Sequence, residues 1–312
     1  MTVDILLPVW NGTPFLGDLI ESLQSQTYGD WTLRVRDDGS TDETHAVLDR
    51  IACEDGRIRI EDSGGERLGA MGSFARLLEN GAGAAQYTMF CDQDDYWFPR
   101  KIEQTLAVMR QAEAESGTDT PVLVHTDLTV TDANLNPIGT SFWSYSGLRP
   151  KRTGLNQVLI QNPATGCTMM INRKLREAAL PIATEAVMHD WWMALVASCF
   201  GRIVHIPGPT VFYRQHGSND TGARRYSPIR GIPGVFTMAG FERLKADLRC
   251  TTRQAEAFLR QYGDRMDPGS RRLVSRYAEI MSCGPLRRRA RLLELGTLKH
   301  GFARNLGLVL RV

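Results

Sequence analysis

The sequence predicts an α/β protein: a mixed, mainly parallel sheet with flanking helices, followed by a helical C-terminal extension. Three features carry this. Short apolar runs alternate with segments of helical spacing, the pattern of a doubly wound sheet. Three of the runs end in polar clusters: Trp10-Asn11, Asp37-Asp38, and Asp92 to Asp95. From about Phe236 onward the chain reads as helical and basic.

Ile5 to Val9 is a buried strand closed by the turn signal Trp10-Asn11-Gly12. Phe15, Leu16, Leu19, Ile20 and Leu23 recur at helical spacing. Trp31 to Val35 alternates as a strand and runs into Asp37-Asp38-Gly39-Ser40-Thr41-Asp42. Ser40 or Thr41 caps the next helix, which reaches about Ala52, and Asp42 and Glu43 suit its first turn. Ile58 to Ile60 is a strand, Met71 to Leu78 a helix, and Tyr87 to Cys91 a strand. In the second half, Val122 to Val130 is a strand, and Pro137 to Trp143 pairs with a nearby segment. Leu155 to Ile160 is helical, Cys167 to Ile171 strand-like, and Trp191 to Phe200 an apolar helix opened by Asp190. Ile203 to Ile206 and Val211 to Tyr213 are short strands split by Pro207-Gly208-Pro209. The organisation expected is one domain over 1–235, with halves 1–115 and 116–235, and an extension over 236–312.

An apolar fraction of 42% suits a packed core. A net charge of +2 points to no polyanionic partner for the chain as a whole. The six cysteines are scattered without a CxxC pair, which predicts reduced thiols. The start of the chain does not read as a signal peptide, and no apolar run approaches the length of a membrane span.

Ligands of such sheets bind beyond the carboxyl ends of the strands, so the three polar clusters converge on one site. Asp92, Asp94 and Asp95 place three carboxylates within one short turn. A bound cation relieves their repulsion, and oxygen donors select Mg²⁺ or Mn²⁺. A solvated acidic turn is the alternative, weakened by the apolar strand before it and Trp97-Phe98-Pro99 after it. A carboxylate of Asp37-Asp38 can accept from a base N–H or a ribose hydroxyl, and plain turn chemistry is the alternative.

Pro8-Val9-Trp10-Asn11-Gly12, Asp37 to Asp42 and Asp92-Gln93-Asp94-Asp95-Tyr96-Trp97 resemble, in order and spacing, the family 2 inverting glycosyltransferases of GT-A (Rossmann-like) fold. Asn162 to Cys167, His189-Asp190-Trp191-Trp192 and Tyr213-Arg214-Gln215-His216-Gly217-Ser218-Asn219 also fit. The set looks like the bacterial branch with rhamnosyltransferases of polysaccharide and O-antigen assembly, over roughly residues 1–220. The resemblance implies a nucleotide-sugar donor, dTDP-rhamnose first and a UDP-sugar second, and a saccharide or lipid-linked saccharide acceptor. It implies that Pro8, Val9, Trp10 and Asn11 line the nucleotide pocket and that Asp37, with Asp38 beside it, contacts the base. By the same resemblance Asp92 lies near the ribose and forms the metal motif with Asp94, the direct ligand; His216 completes the site and suits Mn²⁺ better than Mg²⁺. Asp190 is the base that takes the acceptor proton, its ionised form favoured by the helix start. Arg214 neutralises the diphosphate, while His189, Trp191 and Trp192 meet the acceptor. Adjacent helical residues face different ways, so one tryptophan belongs to the core. His189 departs from the acidic pair usual in the family, and Ser73 or Phe74 stands where the family has asparagine.

From Cys283 to Val312, seven Lys or Arg face one acidic residue, Glu294. Leu286 to Leu293 mixes apolar and cationic residues at helical spacing, either as an amphipathic helix on anionic lipid or as a solvated helix packed on the catalytic domain. No nucleic-acid motif accompanies it. The expected location is the cytoplasm, peripheral on the inner face of the membrane. A sugar-nucleotide nucleotidyltransferase is the rival enzyme, but Trp10-Asn11-Gly12-Thr13 does not resemble its glycine- and arginine-rich loop. A non-catalytic sugar-nucleotide-binding scaffold is opposed by the presence of Asp92, Asp94, Asp190 and His216 together.

Overall fold

The computed structural model describes residues 2–61, 65–81, 85–217, 222–223, 225–226 and 238–311. The chain divides into two compact units. One comprises Met1–Phe142, Ala164–Pro181 and Gly201–Ala223; the other comprises Trp143–Pro163, Ile182–Phe200 and Arg224–Val312. The boundary expected between 235 and 236 lies outside the described residues, as do Ser218 and Asn219.

Strands β1 (Val3–Val9), β2 (Trp31–Asp37), β3 (Ile58–Ile60), β4 (Tyr87–Phe90), β5 (Tyr96–Trp97), β6 (Val122–Thr131), β7 (Pro137–Gly139), β8 (Met169–Asn172) and β9 (Arg202–Arg214) form one sheet in the first unit. Their order is β3-β2-β1-β4-β8-β6-β9-β5, with β7 on β6. The half from β3 to β4 is parallel. β8 runs antiparallel to β4 and β6, and β9 runs parallel to β6. The interior strand β1 buries Val3, Ile5, Leu7 and Val9 together with Leu6, as a parallel strand covered on both faces does. The alternation predicts the parallel half, and the antiparallel β8 makes the sheet mixed, as in the GT-A fold.

The described helices, in chain order, are α1 (Thr13–Gln24), α2 (Thr44–Glu54), α3 (Gly69–Asn80), α4 (Lys101–Ser116), α5 (Phe142–Tyr145), α6 (Leu155–Val158), α7 (Arg173–Ala179), α8 (His189–Phe200), α9 (Met238–Tyr262), α10 (Pro268–Ala278), α11 (Pro285–Glu294) and α12 (Phe302–Arg311). In the second unit, Trp192 of α8 packs on Phe258 and Tyr262 of α9, with ring centroids 5.5 and 5.9 Å away. Phe200 joins Tyr262 at 5.5 Å.

Two local expectations are corrected, and one helix was not anticipated. Ser40 and Thr41 do not cap α2, which begins at Thr44 without a side-chain cap. Ser40 Oγ instead donates to Asp37 (2.6 Å), and the Thr41 N–H donates to Asn11 Oδ1 (2.8 Å). The two short strands around Pro207-Gly208-Pro209 are one strand, β9, whose register with β6 shifts there; an irregular pairing tolerates prolines that a regular ladder excludes. Helix α4 has no counterpart in the sequence reading. It buries Lys101, Thr105 and Glu113 beside Ile102, Leu106 and Met109, so no clean apolar stripe marks it.

Candidate active site

Because β1 lies between β2 and β4, the ends of three adjacent parallel strands bring the polar clusters together. The Asp38 N–H donates to the Val9 carbonyl (2.7 Å), the Asn11 N–H to Ser40 Oγ (2.9 Å) and the Gly12 N–H to Thr44 Oγ1 (2.8 Å). Asn11 adopts a left-handed backbone, φ 50°, a conformation asparagine tolerates. Gln93 clamps the next loop: its Oε1 accepts from the Trp10 N–H (2.8 Å) and its Nε2 donates to the Trp10 carbonyl (3.0 Å). Trp10 itself is 44% exposed, and the exposed Arg67 guanidinium lies 4.1 Å above its ring. Pro8 is part-exposed, whereas Val9 is buried and contributes backbone only.

Asp37 and Asp38 part company. Asp37 is part-exposed, and its Oδ1 accepts from the Ser40 N–H and hydroxyl. Asp38 is buried and accepts from Arg36, the Leu68 and Gly69 N–H groups (both 2.7 Å) and Ser73 Oγ (3.0 Å). Burial pushes the Asp38 carboxyl up, but these donors outweigh it and hold it below the usual carboxylate range. The expectation that Asp38 meets a nucleotide is corrected: it is spent on holding the start of α3.

Asp94 and His216 meet. His216 Nε2 lies 2.7 Å from Asp94 Oδ2, although 122 residues separate them. The imidazole packs on Phe15 at 4.7 Å. A carboxylate oxygen and an imidazole nitrogen converging on one point form a donor set for a divalent cation. Arg214 stands behind them at 3% exposure. Its Nε donates to the Asp94 carbonyl (3.0 Å), Nη1 to the Ala133 carbonyl (2.6 Å) and Nη2 to Asp18 Oδ2 (2.6 Å). The expected diphosphate contact by Arg214 is therefore corrected: the guanidinium is buried and occupied, and it positions Asp94.

A second cluster joins Asp92, Asp95 and Cys167, whose ligand atoms lie within 4.8 Å of one another. Burial, then the charges of Asp92 and Asp94, push the Asp95 carboxyl well above its usual range. Burial, then Asp95, do the same to the Cys167 thiol. The fully buried Lys101, pushed by burial down to about 8, acts on the same groups and lies 3.3 Å from Thr210 Oγ1. The structure thus brings together two donor sets, Asp94 with His216 and Asp92 with Asp95 and Cys167.

In the second unit, Asp190 lies in the first turn of α8, part-exposed, rather than before it. Trp191 is part-exposed and donates its indole N–H to the Val158 carbonyl (2.6 Å). Trp192 is fully buried in the aromatic core, and His189 is 3% exposed. The expectation that Trp192 and His189 touch an acceptor is corrected, because neither presents surface.

Residues 4–177 match the sequence profile of glycosyl transferase family 2. The chain belongs to this family. It is 27% identical over 188 residues to TuaG of Bacillus subtilis, a glycosyltransferase named for teichuronic acid biosynthesis, with 56% of this chain and 68% of TuaG covered. It is 31% identical over 107 residues to WfgD of Escherichia coli, a UDP-Glc:alpha-D-GlcNAc-diphosphoundecaprenol beta-1,3-glucosyltransferase, with 34% of this chain and 40% of WfgD covered. The chain thus spans about two thirds of the first relative's length and under half of the second's. Among solved structures, TarS of S. aureus in complex with UDP-GlcNAc superposes with a TM-score of 0.56 at 12% identity, over 99% of this chain and 90% of that one. That likeness shows the fold.

In this family 2 glycosyltransferase two residues that the sequence did not single out, Gln93 and Arg67, contact the Trp10 loop. Gln93 sits inside the acidic motif, and its position between two aspartates was the available signal. Arg67 lies between β3 and α3, and nothing in the sequence placed it over Trp10.

Proposed function

We propose that this glycosyltransferase moves a sugar, with inversion, from a pyrimidine nucleoside diphosphate donor to a hydroxyl of a saccharide or lipid-linked saccharide acceptor in cell-surface polysaccharide synthesis. The observation that carries this is the Asp94–His216 contact at the mouth of three converging strand ends. Asp94 and His216, with Asp92 nearby, fit a divalent cation, Mn²⁺ or Mg²⁺, which when bound neutralises charge on the diphosphate. Asp37 accepts from the base, the Pro8–Asn11 segment lines the nucleotide, and Arg67 above Trp10 supplies an exposed cation. Asp190 accepts the proton of the acceptor hydroxyl as its oxygen bonds to the anomeric carbon. The bond from that carbon to the phosphate oxygen breaks, and its electrons leave with the nucleoside diphosphate. Trp191 is the remaining candidate for contact with the acceptor.

For the donor, the motif resemblance supports dTDP-rhamnose, as in O-antigen assembly. The names of WfgD and TarS, which print UDP-Glc and UDP-GlcNAc, favour a UDP-sugar as the second reading. The printed WfgD acceptor, a diphosphoundecaprenol-linked sugar, supports a lipid-linked acceptor and a place on the cytoplasmic face of the membrane. Among the described residues no helix is long and apolar enough to cross a membrane. The reading is tested with Asp190→Asn in a transfer assay. Nucleotide binding is retained and turnover falls about 10² to 10⁴-fold; normal turnover would remove Asp190 as the base.

A further inference from the structure

The last two helices raise large apolar side chains into solvent. On α11, Leu286 is 79% exposed and Leu293 53%, with exposed Ala290 between them. On α12, Phe302 is 81% exposed and Leu310 49%, with part-exposed Leu306 between them. The spacings, i, i+4, i+7 and i, i+4, i+8, put each set on one helical face. Arg289 Nη2 donates to the Leu310 carbonyl (2.9 Å), so the two helices touch where these stripes run. Isolated exposed leucines are ordinary; two stripes on adjoining helices form a patch.

The charge around the patch is predominantly positive. The segment's single carboxylate, Glu294, is gripped by both Nη atoms of Arg276 (2.6 and 2.5 Å). Arg291 faces Glu279 (3.3 Å), and Arg288 is turned onto the carbonyls of Ile280, Met281 and Cys283. Arg287 is exposed beside Leu286, and no carboxylate among the described residues pairs with it.

We propose that this face of α11 and α12 docks on an anionic phospholipid surface, with the stripes at the acyl boundary and the exposed Arg287 among the phosphates. A bulky apolar face rimmed by cations matches that interface. A second copy docking through the same patch would bring its arginines against these arginines, so the charge favours lipid over self-association. The inference is independent of the donor reading, since none of these residues belongs to the candidate active site.

The test is co-sedimentation of the full chain with vesicles of phosphatidylcholine, alone or mixed with phosphatidylglycerol. The chain pellets with the mixed vesicles and far less with the neutral ones, and added salt weakens the binding. Arg287→Gln lowers the partition constant about fivefold. The triple variant Leu286→Ser, Leu293→Ser, Phe302→Ser lowers it at least about tenfold. Both keep the melting temperature and nucleotide binding of the parent, because the sites are exposed. Equal partition onto neutral and anionic vesicles would overturn the proposal, as would wild-type binding by both variants. A dimer in light scattering that the triple variant dissolves would assign the face to a second copy instead.

Discussion

Replacing Arg214 by methionine separates two accounts of the buried guanidinium behind Asp94 and His216. The structure spends it on the Asp94 carbonyl, the Ala133 carbonyl and Asp18; the motif resemblance gives it the diphosphate. Each charged bond to a carbonyl is worth about 1.5 to 3 kcal/mol. The Asp18 pair, whose carboxylate is 49% exposed, adds under about 1 kcal/mol. Methionine refills part of the volume, so the loss is about 3 to 5 kcal/mol, at the upper end of single substitutions. At roughly 2 to 4 °C per kcal/mol for a unit of this size, the melting temperature falls by about 6 to 20 °C. Differential scanning calorimetry measures it, with Asp18→Asn as a control that moves it only slightly. A variant melting within about 2 °C of the parent, yet losing nucleotide affinity tenfold or more, would refute the strut and restore the diphosphate contact.

Gly12→Ala places a Cβ 2.8 Å from Val9 Cγ1 and 3.0 Å from Gln93 Oε1; urea unfolding will show a cost of about 1 to 3 kcal/mol, and displacement of Gln93 from Trp10 will weaken nucleotide binding. Burial holds His125 and His189 down to about 3, and burial followed by Arg152, Arg304 and Arg149 holds His300 down to about 4. Their folded values lie below the unfolded value of about 6.5, so the unfolded chain takes up protons first. Stability present above about pH 6.5 is therefore lost as pH falls toward 4 and then 3; melting temperatures that stay flat from pH 7 to about pH 5 would contradict this.

The alternation of strands and helices and the convergence of the three clusters were legible because apolar runs and turn residues are local signals; the strand order was not, since it depends on pairings between distant segments. The Asp94–His216 pair was legible only through the motifs: no spacing rule joins residues 122 apart. Asp37 and Asp38 look alike in sequence, and their roles differ because four donors from Arg36, Leu68, Gly69 and Ser73 reach only the second. The fate of Arg214 depends on acceptors from three distant segments, which no local pattern records. Trp191 and Trp192 show the reverse: helical geometry required one of them to be core, and Phe258 and Tyr262 decide that it is Trp192. Helix α4 escaped notice because its buried face includes Lys101 and Glu113.

The proposed donor site is a nucleoside diphosphate pocket completed by a metal at Asp94 and His216. It is tested most directly by the thermal shift of the wild-type chain with uridine and thymidine diphosphates, with Mn²⁺, Mg²⁺ or chelator, beside Asp94→Asn and His216→Ala. A ligand of the folded state stabilises by about 2.7 kcal/mol at a hundredfold excess over Kd. A clear shift is expected with at least one nucleotide, abolished by chelator and lost or strongly reduced in both variants. An equal shift in chelator, or variants that respond like the parent, would contradict it.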